Sequence, residues 1–288
     1  MQNYILYNAS EGIHSTNECR YALLKLLSVY NLKPPPSLFV VVHTGHPRLF
    51  DDFLTFFPHI EITGPFNEHS HAKAQIIQKF FLTTHGNLLI CDTATYPLKP
   101  LETLFGEIEK GILFLYRKEL PQTNGHNSVA KQVQSILSQS QHQMDGLPAK
   151  VHETPVHNAA IIGLNNSMLH VVKYAGEMIN GLFQKIPHPF AVNFAFSHAF
   201  QKQPPIKTAN DYFADYFELN EFRKLLQTFF RKNEEESIPS LVKLINHLDV
   251  GAIKLEKKKH IQLPLLKKWW KELTGKGWSI RKYEKRIS

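Results

Sequence analysis

Over the first hundred residues, apolar runs too short for helices alternate with segments of helical length, and this alternation limits the fold more than any other feature. Residues 4–7 (Tyr-Ile-Leu-Tyr), 38–42 (Leu-Phe-Val-Val-Val) and 88–91 (Leu-Leu-Ile-Cys) are apolar at every position, as strands covered on both faces must be. Ile60, Glu61 and Ile62 read as a shorter strand. Between these runs, a first helix opens at Ser15, Thr16, Asn17 and Glu18, a capping-box pattern, and continues through Ala22, Leu23, Leu26 and Leu27 until Pro34, Pro35 and Pro36 end it. Residues 49–57 and 73–81 supply two more helical patterns. Strand and helix in this order predict an α/β fold, a mostly parallel sheet with right-handed crossovers and helices on its faces.

In such sheets ligands collect where strands emerge at their carboxyl ends. The run ending at Cys91 stops abruptly at Asp92, then passes through Thr93, Ala94 and Thr95 and the prolines Pro97 and Pro100 into a helix over residues 101–110. Asp92 therefore stands where a ligand is expected, although an acid after a strand also serves simply to steer a turn. His43 and Thr44 follow the second strand, and Asn8 and Ser10 the first. Lys73 begins a helix, where a solvated role is the ordinary one. Neither the phosphate loop Gly-x-x-x-x-Gly-Lys nor the dinucleotide fingerprint Gly-x-Gly-x-x-Gly occurs. His69 and His71 lack a third metal ligand nearby.

Beyond a strand at 111–116, residues 119–156 turn polar, a long insertion containing one helical pattern at 129–138. Residues 157–164 read as a strand whose polar entrance holds Asn158. Helices are predicted from Asn165 to about residue 183, over 190–200 with Asn193 on its surface, and over 218–230 and 240–248.

Charge separates body from tail. Residues 251–288 hold twelve of the 33 Lys and Arg and three of the 25 Asp and Glu, which leaves 21 against 22 elsewhere. The overall charge of +8 is thus a property of the tail, which also carries all three tryptophans, Trp269, Trp270 and Trp278. After Pro264, Leu265, Leu266, Trp269, Trp270 and Leu273 fall on one helical face and Lys267, Lys268 and Lys271 on the other. Such a helix either packs its apolar face onto the body or lies on an anionic membrane; with no recognition module before it, nucleic acid is not an expected partner. No apolar run reaches bilayer-spanning length and no signal-peptide pattern opens the chain, so a cytoplasmic location is expected, with peripheral membrane contact through 251–288. Cys19 and Cys91 have no metal or redox spacing.

Three stretches together resemble the GT-A class of nucleotide-sugar glycosyltransferases, particularly bacterial glycogenin-like relatives. Residues 88–95 (Leu-Leu-Ile-Cys-Asp-Thr-Ala-Thr), followed by Leu98, Lys99, Pro100, Leu101, Leu104 and Phe105, resemble the family's strand, Asp-x-Asp signature and next helix. Residues 157–165 (His-Asn-Ala-Ala-Ile-Ile-Gly-Leu-Asn) are similar to its acceptor-side strand, and residues 215–220 (Asp-Tyr-Phe-Glu-Leu-Asn) to a late segment that supplies a metal-binding histidine in some members. The resemblance spans about residues 1–230 and implies a nucleotide-diphospho-sugar transferase domain over 1–232 with a helical basic extension over 233–288.

It also implies site residues. Asp92, Asn158 and Asn193 would be catalytic; Asn8, Ser10, His43, Thr44, Lys73, Asp92 and Thr93 would bind the donor, expected to be a uridine diphosphate sugar. A hard cation, Mn²⁺ or Mg²⁺, would neutralise the leaving phosphates in the family. Here the second signature Asp is Ala94, the histidine position is Asp215, and the basic position after it is Asn220. Asp92 and Asp215 alone predict weak or absent metal binding, with Lys73 as a cationic substitute. The expectation is transfer of a sugar to a glycan, lipid-linked or protein acceptor. The alternatives are a degenerate GT-A-fold protein that binds a nucleotide sugar, glycan or partner without turnover, and an α/β protein outside the family.

Overall fold

Each apolar run forms a strand of one seven-stranded sheet. The fold comes from a computed structural model, which describes residues 1–65, 72–119, 132, 133, 135, 155–201, 206–274 and 277–284. The His69 and His71 pair, the helix expected at 129–138 and nearly all of the polar insertion lie outside the described residues. Strands β1 (Asn3–Ala9), β2 (Leu38–Thr44), β3 (His59–Thr63), β4 (Asn87–Cys91), β6 (Leu113–Lys118), β7 (His157–Asn165) and β8 (Ile206–Thr208) lie in the order β3-β2-β1-β4-β7-β6-β8. Four of the six pairings are parallel; β7 runs antiparallel to both β4 and β6. The fold is the expected one, α/β with a mostly parallel sheet between helices.

Alternation along the strands builds two cores. Ile5, Tyr7 and Ala9 face one buried cluster and Tyr4 and Leu6 the other, because successive strand residues point to opposite faces. On the first face pack α1 (Ile13–Val29), α3 (Glu102–Glu109), α6 (Asn220–Lys232), α7 (Ile238–Asn246) and the start of α8 (Val250–Ile261), through Leu23, Leu104, Phe222, Leu241 and Ile253. On the second pack α2 (Lys73–Thr83), α4 (Leu169–Phe183) and α5 (Pro189–Gln201), through Ile77, Val172 and Phe194. The core on α1 thus continues past residue 232, through Ile253 and as far as Tyr283.

The path of the chain fixes where a ligand can enter. From β1 it moves outward through β2 to β3, then α2 returns it to β4 on the other side of β1. The direction reverses between β1 and β4, and the carboxyl ends at such a switch point leave a crevice that the crossover helices do not cover. Tyr7 lies beside Cys91 in the last register pair, so Asn8, still paired with β2, lies next to Asp92 where the chain leaves β4.

A close approach holds that register. A Cβ on Gly86 would sit 2.5 Å from the Gln2 carbonyl oxygen and 2.9 Å from the Tyr4 ring, and the next residue, Asn87, donates its N–H to that carbonyl at 2.9 Å. Backbone cannot yield as a side chain can, so Gly86→Ala is expected to cost about 2–3 kcal/mol of stability. A shift of the urea midpoint corresponding to under 0.5 kcal/mol would show that the strands tolerate the insertion.

Four local readings are revised. The first helix starts at Ile13, after Gly12 at φ 95°, and uses no capping box: the Ser15 and Thr16 hydroxyls donate to the Gly12 carbonyl, and Glu18 is buried. The segment Pro47–Thr55 is a 3₁₀ helix and not an α-helix. Its apolar residues Phe50 and Phe53, continued by Phe56, recur every third position, the 3₁₀ period. Residues 95–97 are not simply a turn, since β5 (Thr95–Pro97) pairs antiparallel with β9 (Phe213–Asp215) in a separate ribbon. Finally, α9 (Leu265–Leu273) does not pack its apolar face onto the body. Among the described residues no helix is long and apolar enough to cross a membrane.

Candidate functional site

A cleft of about 190 Å³ opens at the switch point, lined by Asn8 near the end of β1, Asp92 and Thr93 after β4, Lys73 at the start of α2, Glu18 on α1 and Arg223 on α6. It forms because β4, buried along its whole length, can place polar groups only at its exit. The turn after β4 is tied down by its backbone. Asp92 donates its N–H to Ala160 O at 2.8 Å, and Thr95 returns both its N–H (3.0 Å) and its hydroxyl (2.6 Å) to Asp92 O. The carboxylate is left facing outward, with the side chain 39% exposed.

Two ion pairs stand across the cleft. Lys73 Nζ lies 2.6 Å from Asp92 Oδ1 and donates to Ala159 O at 2.6 Å, with only 13% of its side chain exposed. An ammonium so covered needs both partners, which fix it at the mouth of the crevice. The second pair joins Arg223 Nε to Glu18 Oε1 at 2.6 Å, while Glu18 Oε2 accepts from the Thr93 hydroxyl at 2.7 Å. Glu18 is buried and Arg223 is half exposed toward the cleft. Cations and carboxylates thus alternate around one small space, an arrangement able to hold phosphate on the former and sugar hydroxyls on the latter.

The remaining sequence-expected residues fall into three groups. Ser10 joins the cleft through Asn8, donating its hydroxyl to Asn8 Oδ1 at 2.6 Å. Asn158 and Asn193 sit behind the cleft wall and not among its lining residues. Their side-chain oxygens accept from Ala160 N (2.8 Å) and Ala159 N (3.0 Å), and both amides donate to Glu119 Oε1 (3.3 and 3.2 Å). Since Ala159 O holds Lys73, the amide of Asn193 acts on Lys73 through one residue of β7. His43 and Thr44 do not line the cleft. The His43 ring bonds the Thr63 hydroxyl, and burial lowers its pKa; Thr44, fully buried, accepts from His46 N.

Asp215 also lies elsewhere, in the β5–β9 ribbon. Its buried carboxylate accepts from Tyr116 OH (2.7 Å), Arg117 Nη1 (2.9 Å), Lys254 Nζ (3.1 Å) and Phe217 N (3.2 Å). The donor set accordingly does not fit a divalent cation. A hard cation at a nucleotide site needs one or two free carboxylates besides water and phosphate, whereas Asp92 is engaged by an ammonium, Asp215 by four hydrogen-bond donors, and Ala94 offers no ligand. Among the described residues no three His, Cys, Asp or Glu side chains are grouped to hold a metal.

No family model and no curated protein matches the sequence. Solved structures with related folds include the apo form of mouse xyloside xylosyltransferase 1, at 11% identity and a TM-score of 0.42, covering 72% of this chain and 84% of that one. The glycosyltransferase GlyE of Streptococcus pneumoniae TIGR4 gives 10% and 0.45, with 83% of this chain matching 51% of that one. The galactosyltransferase LgtC, solved with donor and acceptor sugar analogs, gives 11% and 0.45, covering 68% and 70%. Likeness at this level assigns neither family nor activity.

Three charged cleft residues, Glu11, Glu18 and Arg223, were missed in the sequence. Glu18 carried a signal: it precedes Ala22 by four positions and so stands on the apolar face of its helix, where an acid must find a buried partner. Arg223 carried none, because it reaches the cleft only through the packing of α6 on α1.

Proposed function

We propose that this chain is a glycosyltransferase of the GT-A type, which binds a nucleoside-diphosphate sugar, uridine-linked, in the switch-point cleft and passes the sugar to a glycan, lipid-linked or protein acceptor. The observation that carries this reading is the Lys73–Asp92 pair at the carboxyl end of β4, at the position where the sequence resembles the family's nucleotide-binding signature. A leaving nucleoside diphosphate needs positive charge, and the ammonium of Lys73 supplies it as a fixed point charge without a metal. Arg223 contributes a second cation from the facing wall. In the transfer itself the bond from the sugar's anomeric carbon to the diphosphate oxygen breaks, its electron pair leaves with the diphosphate, and the acceptor hydroxyl oxygen forms the new bond as its proton passes to the departing diphosphate.

A second reading, binding without turnover, is favoured by one feature: with Ala94 in the signature and Lys73 on Asp92, the site's carboxylate is already neutralised. Calorimetric titration with uridine diphosphate in EDTA and in Mn²⁺ tests the shared premise. Binding is expected in both, differing by less than about 1 kcal/mol. No binding in either buffer, or binding that requires Mn²⁺, contradicts the proposed site. Release of free sugar from uridine diphosphate glucose or galactose then separates the readings, since a binding protein leaves the donor intact.

A further inference from the structure

The helix α9 presents its amphipathic faces the wrong way round for a helix that only packs. At about 100° per residue, Leu265, Trp269, Leu273, Leu266 and Trp270 cover one arc of about 140°, and Lys267, Lys271 and Lys268 lie opposite. A surface helix of a globular protein turns its apolar arc to the core. Here Leu265 and Leu266 are 85% and 82% exposed, and Trp269, Trp270 and Leu273 are 60%, 65% and 63% exposed. Among the described residues of the helix, the one side chain partly covered is Lys268, within the basic arc. Three leucines and two tryptophans held in water at one site mark a docking surface.

We propose that α9 docks the protein on an anionic phospholipid bilayer, with the leucine and tryptophan arc in the boundary between headgroups and acyl chains. Charge selects this occupant. The segment from residue 251 carries twelve basic and three acidic residues on a body that is otherwise near neutral. Lys254 and Lys257 are used internally, on Asp215 and Glu221, but Lys258, Lys259, Lys267 and Lys271 are exposed. Basic side chains beside tryptophan suit the headgroup layer, where a ring meets hydrocarbon on one side and polar groups on the other. Nine residues are too few to span a bilayer, so the contact is peripheral. Nucleic acid would engage the basic arc and leave the apolar arc in water.

The test uses the full chain, and the surface proposed is independent of the sugar site. Vesicles of phosphatidylcholine alone and vesicles with about 30 mol% phosphatidylglycerol are sedimented with the protein. Because every tryptophan lies in the tail, intrinsic emission reports the same event. Partition onto the anionic vesicles is expected, with a blue shift and a steady loss as salt is raised. Trp269→Ser with Trp270→Ser is expected to weaken it at least about tenfold, while the circular dichroism stays unchanged because both side chains are exposed. Protein left in the supernatant overturns the proposal. So does equal binding to neutral vesicles, undiminished binding by the double variant, or a tryptophan-dependent dimer in lipid-free solution, which would make a second copy the occupant.

Discussion

Asp215→Ala is expected to cost about 3–5 kcal/mol of stability, because it strips one buried carboxylate from cations that remain in place. The side chain of Asp215 is 2% exposed and gathers donors from three parts of the chain: Tyr116 and Arg117 on β6, Phe217 beyond β9, and Lys254 on α8. Arg117 is 42% exposed, so its share is screened by water. The hydroxyl of Tyr116 and the ammonium of Lys254 are the more covered partners that alanine would orphan. Lys254 also holds Asp215 O at 3.0 Å, which makes this cluster the clasp between the sheet and the basic C-terminal helices. Urea unfolding at neutral pH measures the loss, and a value under about 1 kcal/mol would mean that the cluster merely decorates the ribbon.

The same cluster sets an acid limb. Burial acts to raise the Asp215 pKa, but the hydrogen bonds from Tyr116 and Lys254, with the charges of Lys254 and Arg117, outweigh it and hold the carboxyl below its ordinary value. A carboxylate with a depressed folded pKa gives stability that is present above its unfolded value of about 3.9 and is lost as the pH falls through the folded one. Asp215→Asn should therefore destabilise the protein at pH 7 and differ progressively less from the parent chain below about pH 4.

The inner strands of the sheet were legible in the sequence because they are buried on both faces, whereas the edge strand β8, short and partly exposed, was not read as a strand. A continuous run such as 38–42 can be little else at that length. What the sequence did not show is pairing between remote short segments. Residues 95–97 and 213–215 form a ribbon only because the fold brings them together, and neither has enough alternation to announce a strand. The candidate site divides in the same way. Asn8 and Asp92 were readable as strand ends, and their adjacency follows from the register of β1 and β4. Asn158 and Asn193 were read from a resemblance, and they brace the backbone at Ala159 and Ala160 from behind the cleft. Glu18 was taken for a cap because its local pattern fits one, whereas its partner Arg223 lies 205 positions away. Tertiary packing overrode local chemistry there, as it did for the apolar face of α9, which binary patterning would have sent inward.

Substitutions at Lys73 and Asp92 should move uridine diphosphate binding in opposite directions. Lys73 is the cation at the carboxyl end of β4, and Asp92 is the carboxylate that orients it at 2.6 Å. Losing one ionic hydrogen bond to phosphate costs about 1.5–3 kcal/mol, so Lys73→Gln is expected to weaken binding about 10–100-fold. Asp92→Asn removes a negative charge from the cleft and frees the ammonium to face the diphosphate, while the shape of the side chain is kept. Its affinity for uridine diphosphate should be unchanged or higher, and turnover of an intact donor should fall about 100-fold or more, because the ammonium is no longer held where charge develops on the leaving group. Were Asp92 instead a metal ligand, the same Asn substitution would weaken binding and the loss would appear only in buffers containing Mn²⁺. Comparing the affinity of the Asn variant in Mn²⁺ with that in EDTA therefore separates a lysine-neutralised site from a metal site, since only the latter loses affinity in Mn²⁺. Ala94 gives the physical reason to expect the former, since a methyl group provides no ligand for a cation.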